Sequence, residues 1–241
     1  MKQETLFISD LHLRPIRPAT TRRFLDFLEH RAVGVESLYI LGDLFDAWVG
    51  DDDPSPPNNA VKRSLKQLTN SGTAVYFQHG NRDFLIGERF IQETGIKLLG
   101  DYTLICLYGT QTLLTHGDLL CTDDIPYLEF RAKTRKPDWR QNVLAKPLIL
   151  RLLYARWYRL RSYFHKRKKT QDIMDVNQKT VEKVMRDYNV TRLIHGHTHR
   201  PAVHEICING VTAQRFVLDQ WDQCGSVLRW NPDGYRMERI L

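Results

Sequence analysis

The stretch TLFISDLHL at residues 5–13 is a β-rich run that ends directly in an aspartate and a histidine. Four later runs of strand-like composition also end in a polar cluster with a glycine nearby: GDLFD at 42–46, HGNRD at 79–83, THGD at 115–118 and HGHTH at 195–199. In open α/β sheets, ligands bind beyond the carboxyl ends of the strands, so these clusters can converge on one site. The pattern therefore predicts an α/β fold with a polar site at the strand ends.

Helical and strand patterns between these clusters complete the expected fold. The segment at 20–31 shows helical spacing of its apolar residues, and the segment at 172–188 is typical of a long amphipathic helix. The tail at 202–230 holds three β-rich runs, and the Asn-Gly pair at 209–210 favours a tight turn between the first two. We expect these runs to form antiparallel strands.

Length and composition suit a globular protein of 241 residues, either one large domain or one domain with an insertion. The four cysteines form no CxxC pair, which argues against a zinc ribbon or a thioredoxin-like site and favours free thiols in a reducing compartment. The apolar run at the start of the chain is too short for a signal-peptide core or a membrane span. We therefore expect a cytosolic protein.

The strand ends carry seven side chains that could bind metal ions: Asp10, His12, Asp43, Asn81, His116, His197 and His199. Seven oxygen and nitrogen donors exceed the needs of one ion and suit two divalent ions of the Mn²⁺, Fe²⁺ or Zn²⁺ type, with one carboxylate bridging them. Each element alone is weak evidence, because a histidine at a strand end is more often a satisfied polar residue than a ligand. Their ordered occurrence after five strands is much more specific.

The order Asp-x-His, Gly-Asp-x-x-Asp, Gly-Asn-x-Asp, His and Gly-His-x-His resembles the calcineurin-like metallophosphoesterase family over residues 5–125 and 190–200. This resemblance implies a β-sandwich flanked by helices in four layers, formed by residues 1–125 and 171–241. It assigns one ion to Asp10, His12, Asp43 and His199, and the other to Asp43, Asn81, His116 and His197. Asp43 would bridge the two ions.

The resemblance further implies that Asp46 and Asp83 orient the metal ligands, although Asp46 could equally cap a turn. Two such ions can lower the pKa of a bound water from about 16 towards 7, which would make a nucleophile available at neutral pH. The expected reaction is then in-line attack of this water on phosphorus.

Arg82 departs from the family pattern, because most members have a histidine there that is thought to protonate the leaving alkoxide. Arginine cannot give up its proton, but its paired donors can stabilise charge on a phosphate. A leaving phosphate monoester departs as an anion, since its second pKa is near 6. The arginine at position 82 therefore favours a pyrophosphate bond as the bond that is cleaved, with Arg82 as a catalytic residue. The alternative is that Arg82 only pairs with Asp83 or another nearby acid.

Residues 126–170 interrupt the α/β alternation and are strongly basic. The part at 128–170 holds 14 of the 35 Lys and Arg residues against two acids, so its formal charge is +12 while the whole chain has +7. Apolar residues recur there at helical spacing, on a helix expected to begin at Pro147. The stripe comprises Leu144, Leu148, Ile149, Leu152, Leu153, Trp157, Leu160 and Phe164.

Three interpretations of this insertion compete. The stripe could pack on the core, the Arg and aromatic residues could bind nucleic acid, or the helix could lie against lipid with its basic residues at anionic head groups. The aliphatic content of the stripe favours lipid over bases, and HKRKK at 165–169 suits a head-group surface. We therefore expect no nucleic-acid partner.

With this insertion, the GNRD variant and HGDLLCTDD at 116–124, the chain resembles the members of the family that act in lipid A biosynthesis. That resemblance implies two Mn²⁺ per chain and hydrolysis of UDP-2,3-diacylglucosamine to UMP and 2,3-diacylglucosamine 1-phosphate (lipid X), with water attacking the α-phosphorus. It also implies a peripheral location on the cytoplasmic face of the inner membrane, next to an anionic surface.

The implied substrate contacts are Asn81, Arg82, Asp124, Ser162, Lys166, Lys169 and His197. Asp123 could take the role of Asp124, and Trp48 could line the acyl pocket, although a core tryptophan is more usual. Two other functions stay open at this point. The chain could be another two-metal phosphoesterase, such as a nuclease or nucleotide phosphodiesterase, or a non-catalytic protein that binds through its basic segment.

Overall fold

The computed structural model describes residues 2–166 and 175–241, and the side chains of residues 3–159 and 175–241. Two mixed β-sheets pack face to face. The first has the strand order β11-β10-β1-β2-β3-β4. Its strands are β1 (Lys2–Ile8), β2 (Val35–Leu41), β3 (Ala74–Gln78), β4 (Lys97–Leu99), β10 (Gly225–Asn231) and β11 (Gly234–Ile240). Strands β1 to β4 run parallel, and β10 and β11 are antiparallel to their neighbours.

The second sheet has the order β5-β6-β7-β9-β8. Its strands are β5 (Thr103–Leu107), β6 (Thr110–Leu114), β7 (Arg192–His195), β8 (Ala202–Ile208) and β9 (Val211–Val217). The three central strands are parallel and both edge strands are antiparallel. The parallel strands of both sheets thus carry the five polar clusters beyond their carboxyl ends.

Helices cover the outer faces of both sheets. The first sheet is covered by α1 (Pro18–Asp26), which continues into a π-helical turn at Phe27–Arg31, and by α2 (Asn58–Asn70) and α3 (Glu88–Thr94). The second sheet is covered by α7 (Gln178–Asp187). Phe7 and Tyr39 of the first sheet meet Leu114 and Phe216 of the second in the core between the sheets. These four layers confirm the predicted sandwich flanked by helices.

Up to Lys166, where its described part ends, the insertion forms three helices rather than one long helix or a hairpin. They are α4 (Ile125–Thr134), α5 (Pro137–Leu144) and α6 (Leu148–Lys166). The chain leaves the helical conformation between Leu144 and Leu148, because Pro147 has no N–H to continue α5. Leu144 therefore belongs to a different helix from the rest of the predicted apolar stripe. None of the helices in the described part of the chain is long and apolar enough to cross a membrane.

Two other expectations need correction. Helix α7 begins at Gln178 rather than near residue 172. The Asn177 side chain accepts a hydrogen bond from the Thr180 N–H and caps the helix there. Residues 172–174 lie outside the described part. Strands β8 and β9 form the predicted hairpin, with Asn209 and Gly210 both at positive φ. Strand β10 instead pairs with β1 in the other sheet, where its alternating apolar residues contact both cores.

Candidate metal centre

Backbone hydrogen bonds hold the loops beyond the strands together. The Asp10 N–H donates to the Gly42 carbonyl over 3.1 Å, and the His12 N–H donates to the Asp43 carbonyl over 3.0 Å. The Gly196 N–H donates to the His116 carbonyl over 2.9 Å, which ties the corresponding loops of the second sheet. The loops therefore form one framework at the edge where both sheets end.

Five of the seven predicted ligands have a left-handed backbone conformation. Asp10, His12, Asp43, His197 and His199 have φ values between 49° and 70°. Such a conformation costs about 1–3 kcal/mol for a residue other than glycine and persists only where the surrounding structure enforces it. The framework thus stores strain at the residues whose side chains it turns towards a common point.

Close approach of the loops also requires glycine at position 42. Gly42 has φ +86°, and a Cβ there would lie 2.6 Å from Nδ1 of His116 and 2.7 Å from Cα of Gly80. No side chain fits into such a gap. The glycine therefore lets the His116 ring reach the cluster, where its Nδ1 donates to the Leu41 carbonyl over 2.8 Å.

The side chains form two adjoining groups. In the first, Nε2 of His199 lies 3.1 Å from Oδ1 of Asp10 and 3.2 Å from Nε2 of His12. In the second, Oδ1 of Asn81 lies 3.0 Å from Nδ1 of His197 and 3.2 Å from Nε2 of His116. The structure thus brings six of the seven predicted ligands into these two groups.

Asp43 lies between the groups. Its Oδ2 is 3.8 Å from Nδ1 of His12, and its Oδ1 is 3.8 Å from Nε2 of His116. Asp10 is also near both groups. Its carboxylate lies close enough to His12 and His199 to share a metal ion with them, and close enough to Asp43 and His116 to share another. The position of Asp43 suits the bridging carboxylate that the sequence predicts.

The chemistry of this donor set fits divalent cations. The facing ring nitrogens of His12 and His199 would repel each other unless a proton or a cation lay between them. His12 Nδ1 is buried without a hydrogen-bond partner among the described residues. Burial lowers the pKa of His12 well below its usual range and raises the pKa of Asp43. A bound cation would accept the lone pair of the neutral His12 imidazole and would stabilise the negative charge of the buried Asp43 carboxylate.

Asp83 forms its hydrogen bonds with the backbone of the loops rather than with the side chains of the predicted metal ligands. Its carboxylate accepts hydrogen bonds from the N–H groups of Leu44 over 2.7 Å and Gly80 over 2.9 Å. It thereby clamps the loop after β2 to the loop after β3. Burial, with the Asp43 charge nearby, raises the pKa of Asp83 to about 7. The prediction that Asp83 orients ligands needs this correction, because its contacts are with the backbone.

Arg82 pairs with Asp46 and not with Asp83. Its Nη1 donates to Asp46 Oδ1 over 2.8 Å, and its Nε lies 3.4 Å from Asp43 Oδ2. Asp46 also pairs with Arg14, at 3.5 Å, and contacts the guanidinium of Arg159 from α6. The Asp46 carboxylate therefore faces three arginines at the edge of the cluster. Among the described residues, it forms no hydrogen bond with a turn N–H or with a predicted metal ligand. We call Arg14, Arg82 and Arg159 the arginine group.

The sequence alone did not single out Arg14 or Arg159. Arg14 follows the Asp-x-His motif by two residues, and Arg159 is one of many basic residues in the insertion. No local pattern separates Arg159 from the others, because its partner lies 113 positions earlier in the chain.

Arginines attach α6 to the core, and its aliphatic face is exposed. Arg151 is 5% exposed and binds the carboxylate of Asp52 through two nitrogens and the Val49 carbonyl over 2.6 Å. The exposed residues on the other side include Ile149 at 67% and Leu153 at 59%. The interpretation that this stripe packs on the core is therefore wrong for its described part. Within the insertion, Trp139 and Val143 of α5 pack against the hydrophobic core instead.

The remaining predicted contacts are only partly placed. Asp124 is the N-cap of α4 and accepts from the Tyr127 N–H over 3.2 Å, while Asp123 accepts from Asn177 Nδ2. Trp48 is 3% exposed and packs on Phe45 and Phe90 in the core, so it lines no open surface. Ser162 and Lys166 lie on α6, but their side chains are outside the described part, as is all of Lys169.

Comparison with known proteins agrees with this geometry. A model of the family described as calcineurin-like phosphoesterase matches residues 4–201. Two curated relatives named UDP-2,3-diacylglucosamine hydrolase, from Xanthomonas oryzae pv. oryzae and Stenotrophomonas maltophilia, are 49% and 46% identical over 243 residues. The alignments cover 98% of this chain and 98% of each relative. A solved archaeal phosphodiesterase, 13% identical, shares the fold with a TM-score of 0.50 over 98% of this chain and 99% of that chain.

Proposed function

Because the chain belongs to the calcineurin-like phosphoesterase family, we propose that its cluster hydrolyses the pyrophosphate bond of UDP-2,3-diacylglucosamine. The products would be UMP and 2,3-diacylglucosamine 1-phosphate (lipid X), a step of lipid A biosynthesis. The relatives of that name, which match over nearly the full length, support this substrate. The observation that carries the proposal is the position of Arg82, beside the metal cluster and within the arginine group.

We propose that the donor set holds two Mn²⁺ ions. One would be held by Asp10, His12, Asp43 and His199, and the other by Asp43, Asn81, His116 and His197. Mixed carboxylate, amide and imidazole ligands suit a metal of this type. When bound, the ions would activate a water for attack on the α-phosphorus and polarise the phosphate oxygens.

The residues around the cluster would hold the phosphates. Asn81 and His197 present polar atoms towards the cluster, where a phosphate oxygen could be bound. Arg82 would bind the departing sugar phosphate, because its charge is permanent and its paired donors match phosphate oxygens. The arginine group carries three positive charges against the carboxylates of Asp46 and Asp43, so it retains net positive charge for this anion. No proton donor is needed for a leaving group that departs as an anion.

The insertion at 126–170 would receive the acyl chains. Helix α6 turns its exposed aliphatic face outwards, and the arginine contacts of the same helix join it to the cluster. A lipid substrate could therefore lie with its phosphates at the arginine group and its chains along α6. Asp124 would contact the glucosamine unit, and Ser162, Lys166 and Lys169 would lie beside its phosphate.

The same face suits an enzyme that takes its substrate from a membrane. Exposed Ile149, Leu153 and Trp157 could enter the boundary of a bilayer, and the basic residues near the end of α6 could meet anionic head groups. We therefore propose peripheral association with the cytoplasmic face of the inner membrane.

The decisive experiment compares leaving groups. Purified protein with Mn²⁺ should release UMP from UDP-2,3-diacylglucosamine far faster than it cleaves bis-nitrophenyl phosphate or single-stranded RNA, and chelation should abolish the release. The opposite ranking would favour a nuclease or nucleotide phosphodiesterase. Binding to RNA or vesicles without any hydrolysis would indicate a non-catalytic protein.

A further inference from the structure

A cavity that none of the seven predicted metal ligands lines lies between the 198–201 segment and strands β8 and β9. It has a volume of about 220 Å³ and is lined by Asp175, Thr198, Arg200, His204, Arg215 and Val217, among others. Thr198 stands between His197 and His199 in sequence, yet it lines the cavity while the two histidines turn towards the cluster. The cavity is therefore a separate compartment next to the site already described.

Arg215 supplies the cavity with a buried positive charge. Its side chain belongs to β9, the residue is 6% exposed, and no carboxylate of the described residues lies within salt-bridge distance of it. Its Nη1 donates to Nε2 of His195 over 3.1 Å. An imidazole ring carries no negative charge, so this hydrogen bond cannot balance the charge of the guanidinium.

Two of the lining residues each contain a buried polar atom that has no hydrogen-bond partner in the part of the chain that the structure describes. Nε of Arg215 and Oγ1 of Thr198 are buried without a hydrogen bond among the described residues. A buried polar atom left unpaired costs about 1–3 kcal/mol, and more when the group is charged. An anion with several oxygens would satisfy both atoms and compensate the guanidinium at the same time.

The other lining residues leave the cavity positive. The lining contains the two guanidinium groups of Arg200 and Arg215 against the one carboxylate of Asp175, which pairs with Arg200 over 2.6 Å and also attracts Arg215, so one positive charge is in excess. The volume corresponds to about seven waters at roughly 30 Å³ each, which accommodates a tetrahedral oxyanion with part of its hydration. We propose that this cavity is a binding site for a phosphate group, with Arg215, Arg200 and Thr198 as its donors.

The site can be tested by phosphate binding to the metal-loaded, full-length protein. Equilibrium dialysis with radiolabelled inorganic phosphate would compare the wild type with Thr198→Val, Arg200→Gln and Arg215→Gln. We expect each variant to lose one class of bound phosphate or to bind it at least tenfold more weakly, while phosphate held by the metal cluster remains. The control is Arg192→Gln, which removes a half-buried arginine of β7 that lies over the Trp230 ring.

Two features keep the test decisive. Thr198→Val changes one hydroxyl for a methyl group, so it remains informative if Arg215→Gln fails to fold. Isotherms that are identical in the wild type and in Thr198→Val and Arg200→Gln would overturn the proposal. The measurement involves no substrate turnover, so its outcome is independent of the function proposed above.

Competition with unlabelled UMP identifies the source of the phosphate group. Displacement of phosphate from the variant-sensitive class would assign the site to a nucleoside monophosphate, which is a product under the proposed function. Retention of phosphate at saturating UMP would assign it to free phosphate. Either result supports an oxyanion site.

Discussion

Nη1 of Arg82 donates a hydrogen bond to Oδ1 of Asp46 over 2.8 Å, although Asp83 is its neighbour in the chain. Both oxygens of the Asp83 carboxylate accept hydrogen bonds from backbone N–H groups, so neither is available to the guanidinium. Asp46 holds Arg82 together with Arg14 and Arg159 next to the cluster. This pairing places a permanent cation where a leaving phosphate would develop charge.

Replacement of Arg82 should lower turnover without loss of metal. We expect Arg82→Ala to reduce kcat by about 10²–10³-fold, as for the loss of one donor to a developing anion. Arg82→Lys should recover part of this loss, because it keeps the charge but not the paired donors. UMP release and metal content by elemental analysis measure the two effects. Arg17→Ala, at an exposed pair with Asp222, is the matched control; loss of metal in Arg82→Ala would assign Arg82 a structural role.

Replacement of Asp43 should remove metal and activity together. Asp43→Asn keeps the size of the side chain but removes the charge that faces both groups of ligands. Bound metal should fall below one ion per chain, and UMP release should be lost. Asp53→Asn is the control, since Asp53 is equally buried but accepts a hydrogen bond from Ser55 in a turn. An Asp43→Asn protein that keeps its metal and activity would refute the bridging role.

A charge on the exposed face of α6 should weaken binding of the lipid substrate. Burial of one aliphatic side chain contributes about 1.5–3 kcal/mol, so Leu153→Glu should raise KM at least tenfold while kcat changes little. Thermal unfolding should be unchanged, because Leu153 is 59% exposed. Val211→Glu introduces the same charge at an exposed position of β9 and serves as the control. Equal KM values in all three proteins would contradict an acyl-binding face.

The ion pair between Asp52 and Arg151 should make the attachment of α6 dependent on pH. The hydrogen bond from Arg151 lowers the pKa of Asp52. Because the folded pKa lies below the unfolded value of about 3.9, the stabilisation is present above that value and is lost as pH falls through the folded pKa. The difference in free energy of unfolding between wild type and Asp52→Asn should therefore exist at pH 7 and shrink below pH 4. A difference that does not vary with pH would exclude this ion pair as its cause.

Removal of the basic charges at 166–169 should weaken binding to anionic vesicles. Each Lys or Arg near such a surface contributes about 1 kcal/mol, so replacing all four with glutamine should lower the partition coefficient well over tenfold at low salt. Binding to neutral vesicles should not change. Replacement of four exposed basic residues outside the insertion, Arg22, Arg63, Lys66 and Lys179, with glutamine controls for net charge. Unchanged binding to anionic vesicles would remove the electrostatic part of the membrane proposal.

The α/β sandwich and the identity of the cluster residues follow from the sequence, because both depend on local patterns. Apolar runs of strand length recur before polar clusters, and carboxylate, amide and imidazole donors at five strand ends are typical of a metal centre. The sequence could not identify the partner of Arg82, since Asp83 is its neighbour in the chain whereas Asp46, its partner in the structure, is 36 positions away. It also left open the left-handed backbone at Asp10 and His197, which arises from contacts between distant loops.

Only the tertiary structure decided which face of α6 is buried. An amphipathic pattern defines two faces of a helix, and the usual expectation places the aliphatic face inside. Here Arg151 and Arg159 find carboxylates on the loop after β2, and these ion pairs turn the arginines inwards and leave Ile149 and Leu153 exposed. The sequence thus determined the donors and the strand ends that carry them, whereas contacts between residues about 100 positions apart determined the charge pairing and the exposed aliphatic face.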